Sequence, residues 1–134
     1  MSTKRPGIEL ISARALISHL STPAFLVDDN GVLLFYNEAA ESLLGLRFEE
    51  AGRMAPDEWG THFRPRERGG RELSIEELPL TIAVRQGRPG HARMKITGAD
   101  GSDHDIEVSA LPIVSGGSQH GAFAIFWPVV AGSD

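Results

Sequence analysis

The chain has 134 residues, a formal net charge of −5, 41% hydrophobic and 23% charged residues, and no cysteine. That length holds one domain around a single core. The acidic balance argues against nucleic acid as a partner, and the missing cysteines exclude disulfides, thiolate metal sites and thiol catalysis.

No apolar run reaches the ~20 residues of a membrane span. Glu9, Ser12, Arg14 and Ser18 interrupt any signal-peptide core after the basic start MSTKRPG. A cytoplasmic protein with no membrane partner is expected.

Residues 8–20, IELISARALISHL, read as a helix. At ~100° per residue Leu10, Ala13, Leu16, Ile17 and Leu20 share one face, and Ile8, Ile11 and Ala15 another. Two apolar stripes on a short helix suggest either a helix half-wrapped by its own domain or a second contact to another subunit. Pro23 ends the segment.

Residues 24–29 read as a strand, Asn30-Gly31 as a hairpin turn, and residues 32–36 as the returning strand. Asn37 fits the N-cap of a helix over residues 38–44, with Gly45 as its C-terminal cap. Glu38 and Glu41 favour the helix dipole. Residues 46–74 are the least regular, with short helical turns expected at 48–53 and 56–60. Within them HFRPRERGGREL gathers Arg64, Arg66, Arg68 and Arg71, either a solvated loop pairing with Glu67 and Glu72 or an anion or partner site.

Ser74 and Glu77 form a capping-box pattern. A helix is expected over 75–87, with Leu78, Ile82 and Arg85 on one face and Gly87 closing it. Pro79 is late for a first-turn proline, so the helix proper could begin there. Residues 91–97, 104–114 and 121–127 read as strands, turned at Asp100-Gly101 and Gly116-Gly117. In the last, Phe123, Ile125 and Trp127 point one way, and Ala122, Ala124 and Phe126 the other. A strand apolar on both faces must be covered on both. The order β-β, helices, β-β-β gives an α+β domain: an antiparallel sheet with helices on one face.

This order resembles the PAS family over about residues 20–127. The residues that carry the resemblance are FLVDDNGVLLFYNEAAESLLG at 25–45, ELPLTIAVRQGRP at 77–89, DGSDHDIEVSALPI from Asp100 onward, and GAFAIFW at 121–127. Asn37 matches the asparagine that typically ends the second PAS strand, and Gly87 and Pro89 the turn after the long helix. The resemblance implies a five-stranded PAS sheet over 22–128, a flanking N-terminal helix within 1–21 and a short flexible tail at 129–134.

The resemblance also implies a sensor or interaction module in signal transduction, with a pocket between the sheet and the long helix that is either filled or open to a small molecule. It further implies a homodimer and a protein signalling partner or effector domain. The absent cysteine excludes a cysteinyl-flavin adduct, and the histidine-free stretch 75–87 argues against haem. Pro128 breaks the last strand and the tail is too short for an output helix, so coupling to an effector in the same chain is not implied.

Catalysis is not expected. No histidine pair has metal-ligand spacing, no nucleophile sits with a base, and there is no phosphate loop. His91, His104 and His120 are expected to be solvated. Pocket candidates are Tyr36, Trp59, Ile82 and Met94, with His62 or Arg85 as a polar contact. Candidates for a dimer or interaction face are Ile8, Ile11, Ala15, Phe123, Ile125 and Trp127. Gly31, Asn37 and Gly87 are expected to be structural, with Asn37 at the pocket mouth. The rival reading is a small α+β enzyme using His62 or an acidic residue as general base in a cone-shaped pocket.

Overall fold

The computed structural model describes residues 7–129. The chain runs α1 (Ile8–Ser18), β1 (Ala24–Asp28), β2 (Leu33–Tyr36), α2 (Glu38–Leu44), α3 (Phe48–Ala51), α4 (Pro56–His62), a 3₁₀ turn (Ile75–Glu77), α5 (Pro79–Gln86), β3 (Gly90–Thr97), β4 (Asp103–Ser115) and β5 (Ser118–Pro128). The five strands form one antiparallel sheet in the order β2-β1-β5-β4-β3. Of the tail expected at 129–134, all but Val129 lies outside the described residues.

The alternation read from the strands decides the two faces. Ala122, Ala124 and Phe126 point inward with Ile106, Val108, Met94 and Ile96, and join Phe25, Val27 and Tyr36 in the main core beneath the helices. On the opposite face Ala24, Leu26 and Leu34 form a second core with Leu10 and Ile17 of α1. Phe123 and Ile125 pack against it, so this chain's own helix supplies the second cover for that stretch of β5. Trp127 stands outside that cluster.

The first helix seats more narrowly than its stripe suggested. Leu10 and Ile17 are 6% and 2% exposed, but Leu16 is 67% exposed. At ~100° per residue Leu16 lies about 120° round the helix from Leu10, beyond the reach of a flat sheet. Leu20 falls past the helix end at Ser18 and is also exposed.

The Asn30-Gly31 turn and the cap at Gly87 need left-handed backbone, with φ of 81° and 63° at the two glycines. The long helix does not run through from 75. Pro79 holds Leu78 in extended geometry (φ −75°, ψ 139°), leaving a 3₁₀ turn before it and α5 after it. This resets the helical phase: Leu80 and Ala83 are buried, while Ile82 is half-buried and Arg85 exposed.

The arginine-rich segment is more ordered than a solvated loop. Arg66 adds a short bridge to the β3 edge, its N–H donating to Lys95 O at 2.9 Å and its carbonyl accepting from Lys95 N–H at 2.8 Å. Its guanidinium donates to Thr97 Oγ1 and Asp103, and Arg71 joins Glu67 and Glu77.

Candidate functional site

Between α5 and the inner face of the sheet lies a cavity of about 70 Å³. Its walls are Phe25, Met94, Ile96, Ile106, Val108, Ala124 and Phe126 from the strands, and Leu44, Trp59, Phe63, Pro65, Leu78, Pro79 and Leu80 from the helical layer. The strand residues are the inward half of each alternation. Phe63 and Pro65 arrive because the loop after α4 is tied to β3, with Thr97 N–H donating to Phe63 O at 2.8 Å. No side chain in this lining carries a charge.

Of the sequence candidates, Trp59 and Met94 line the cavity. Trp59 also donates its indole N–H to Gly31 O at 2.8 Å, fastening α4 to the β1–β2 turn. Tyr36 sits one ring back, stacked on Phe25 at 5.3 Å and edge-on to Phe48 at 5.2 Å. Its hydroxyl donates to Leu46 O at 2.8 Å. Burial, then the Glu41 and Glu50 carboxylates, push the phenol up to about 12.

Ile82, Arg85 and His62 do not line this cavity. Ile82 and Arg85 were phased on a helix counted straight through Pro79, and the break turns them away. Arg85 pairs with Glu76 and stands beside a smaller cleft of about 10 Å³ that also borders Asn30, Gly31 and Thr81. His62 is exposed on the last turn of α4, its ring edge-on to Phe63 at 4.7 Å. A general base needs to reach a substrate in the cleft, and His62 points elsewhere.

Asn37 is not at the cavity mouth. It is 1% exposed on the α1 side of the sheet. Its Oδ1 accepts from Ala24 N–H and Ala40 N–H, each at 3.0 Å, and its Nδ2 donates to Ile17 O and Thr22 O, each at 2.9 Å. One amide therefore caps α2, holds the start of β1 and ties down the end of α1.

Sequence reasoning missed most of the wall. Ile106, Val108 and Phe126 could have been taken from the two-residue alternation of their strands. Phe63 and Pro65 had no such signal, because they stand in an arginine-rich stretch without periodicity. His104 was expected in solvent and is half-buried, with an Nε2 that has no hydrogen-bond partner among the described residues. His91 is exposed as expected, 3.2 Å from Glu107, and His120 is half-buried, 3.6 Å from Glu9.

A flavin or haem does not fit these walls. They contain no histidine and no charged side chain to meet a polar ring edge or an iron, and the indole N–H of Trp59 is already bonded to Gly31 O. Among the described residues no group of three or more His, Cys, Asp or Glu could hold a metal ion.

A family model described as the PAS fold matches residues 13–129. Among solved structures, a PAS domain from Colwellia psychrerythraea is 18% identical, with a TM-score of 0.63 over 90% of this chain and 97% of that one. The PAS domain of BvgS from Bordetella pertussis is 16% identical, with a TM-score of 0.61 over 92% and 88%. A LOV protein from Rhodobacter sphaeroides is 12% identical, with a TM-score of 0.72 over 93% and 70%. At these identities the likeness is one of fold. A search of curated protein sequences finds no match.

Proposed function

Because the chain belongs to the PAS family, we propose that it is a cytoplasmic sensor and interaction module in signal transduction. It holds a small molecule beneath α5 and passes its state through the sheet to a protein partner, with no catalytic step of its own. Residues 22–128 form the sensing unit and α1 the flanking helix. Two copies pair along the outer stripe of α1.

The observation that carries this reading is the two-sided character of α1. Leu10 and Ile17 are seated on the sheet, while Ile8, Ile11 and Leu16 are 73%, 60% and 67% exposed. Large apolar side chains clustered on one exposed helix face favour a protein contact, and a second copy presents the same stripe to complete a two-fold interface. Among the described residues no helix is long and apolar enough to cross a membrane.

Phe123 and Ile125 serve this interface indirectly, by packing on the core that seats α1, Ala15 lies within the outer stripe, and Trp127 stands outside it. The test is light scattering of the wild type against Ile8→Glu with Ile11→Glu. The wild type is expected to be a dimer and the double variant a folded monomer. A wild type that stays monomeric at high concentration overturns the pairing.

A further inference from the structure

The walls of the cavity carry information about what can occupy it. We propose that its ligand is a non-polar molecule smaller than a benzene ring and without hydrogen-bonding groups, such as a short branched hydrocarbon or a dissolved apolar gas. This rests on the sensor reading above and names the ligand class for the same site.

The first argument is chemical. The strand wall presents the aliphatic groups of Ile96, Ile106, Val108 and Ala124, the Met94 thioether and the rings of Phe25 and Phe126, and the opposite wall includes Pro65 and Pro79. Proline has no backbone N–H, so at these two places the wall lacks even that donor. Among the described residues the buried side-chain polar atoms without a partner are Thr81 Oγ1 and His104 Nε2, and neither residue lines the cavity. A ligand hydroxyl or carbonyl here would be buried unpaired, which is unfavourable. Water meets the same difficulty, since it needs two to four polar partners, and apolar cavities of this kind stay dry.

The second argument is size. A dry apolar cavity of roughly 150 Å³ accepts benzene, and this one measures about 70 Å³. It suits a molecule of a few heavy atoms.

The test uses isobutene and acetone, which have the same shape and differ by one carbonyl oxygen, with xenon as an atomic probe. Methyl resonances of Met94, Ile106 and Val108 report binding to the full chain. Isobutene and xenon are expected to shift them saturably, and acetone to bind at least tenfold more weakly than isobutene. Ala124→Val adds methyl groups inside the cavity and is expected to abolish the shifts. Val108→Ile does the same from β4 should the first variant fail to fold. Acetone binding as tightly as isobutene, or no response to any probe, overturns the proposal. Saturable isobutene binding that leaves α1 and the oligomeric state unchanged supports the ligand class and instead removes the sensor reading.

Discussion

The side-chain nitrogen of Asn37 lies 2.9 Å from the carbonyl oxygen of Ile17, near the C-terminus of α1. The other end of the same amide caps α2 and accepts the first N–H of β1. A helix C-terminus leaves carbonyls without intrahelical donors, and a buried donor from the sheet edge is an economical way to satisfy them. The seating of α1 thus depends on one residue of the β2–α2 junction.

Asparagine and aspartate separate the two halves of that role. Asn37→Ala is expected to lose about 3 kcal/mol, from the cap and from buried groups left unpaired. Asn37→Asp keeps both accepted hydrogen bonds but turns a carboxylate toward the carbonyls of Ile17 and Thr22. Amide exchange of the aspartate variant should therefore rise first in α1, with α2 still protected. Equal loss in both helices would show that the residue acts only as an N-cap.

The two faces of α1 make a paired prediction. Ile17→Ala opens a hole in the second core and is expected to cost about 3 kcal/mol. Ile11→Ala, at 60% exposure, should change unfolding by less than about 0.5 kcal/mol when measured in urea on the monomer. A large effect at Ile11 under those conditions would mean that the helix is rotated on the sheet.

These results bear on how much could be read from the chain. The β1–turn–β2–α2 unit was legible because its signals are local: Asn30-Gly31 for the turn, Asn37 for the cap and Gly45 for the stop. Each acts through the conformation of one or two residues. Little of the cavity was legible. Met94 and Trp59 could be placed, but Ile82 and Arg85 were phased across Pro79, where one proline shifts which side of a helix meets the sheet. Phe63 and Pro65 depend on a loop pinned to an edge strand, a contact between distant residues that no local pattern encodes. The stripe on α1 was visible, but which part of it is buried depends on the shape of the surface opposite.

Tyr36 gives an alkaline prediction. Its phenol is held up to about 12 from the ordinary value of 10.0, chiefly by burial. The folded chain binds this proton more tightly than the unfolded one. The contribution is therefore complete below about pH 10 and lost as pH rises toward 12, by roughly 2 kcal/mol at most. Tyr36→Phe removes the hydrogen bond to Leu46 O, costs about 1 kcal/mol at neutral pH, and should flatten that part of the alkaline profile. Urea melts of the two proteins between about pH 9 and 12 compare them directly.

On the acid side one of the lowered carboxylates stands in the turn that leads into the cavity wall. Glu77 is pulled down to about 2, first by the Arg71 guanidinium and then by the backbone N–H and hydroxyl of Ser74. Its carboxylate accepts from Ser74 N–H and Ser74 Oγ–H, each at 3.0 Å. A depressed carboxylate contributes above its unfolded pKa near 4.5, and the contribution falls away as pH drops toward 2. The next residue, Leu78, walls the cavity together with Pro79. Ordering of the 3₁₀ turn is therefore expected to fail between about pH 4.5 and 2. The Ser74 amide resonance should titrate over that window in the wild type. In Glu77→Gln the side chain can still accept from Ser74 but carries no charge for Arg71, so the resonance should start shifted and stay flat. A wild-type resonance that does not move before global unfolding would detach the Glu77 cluster from the cavity wall.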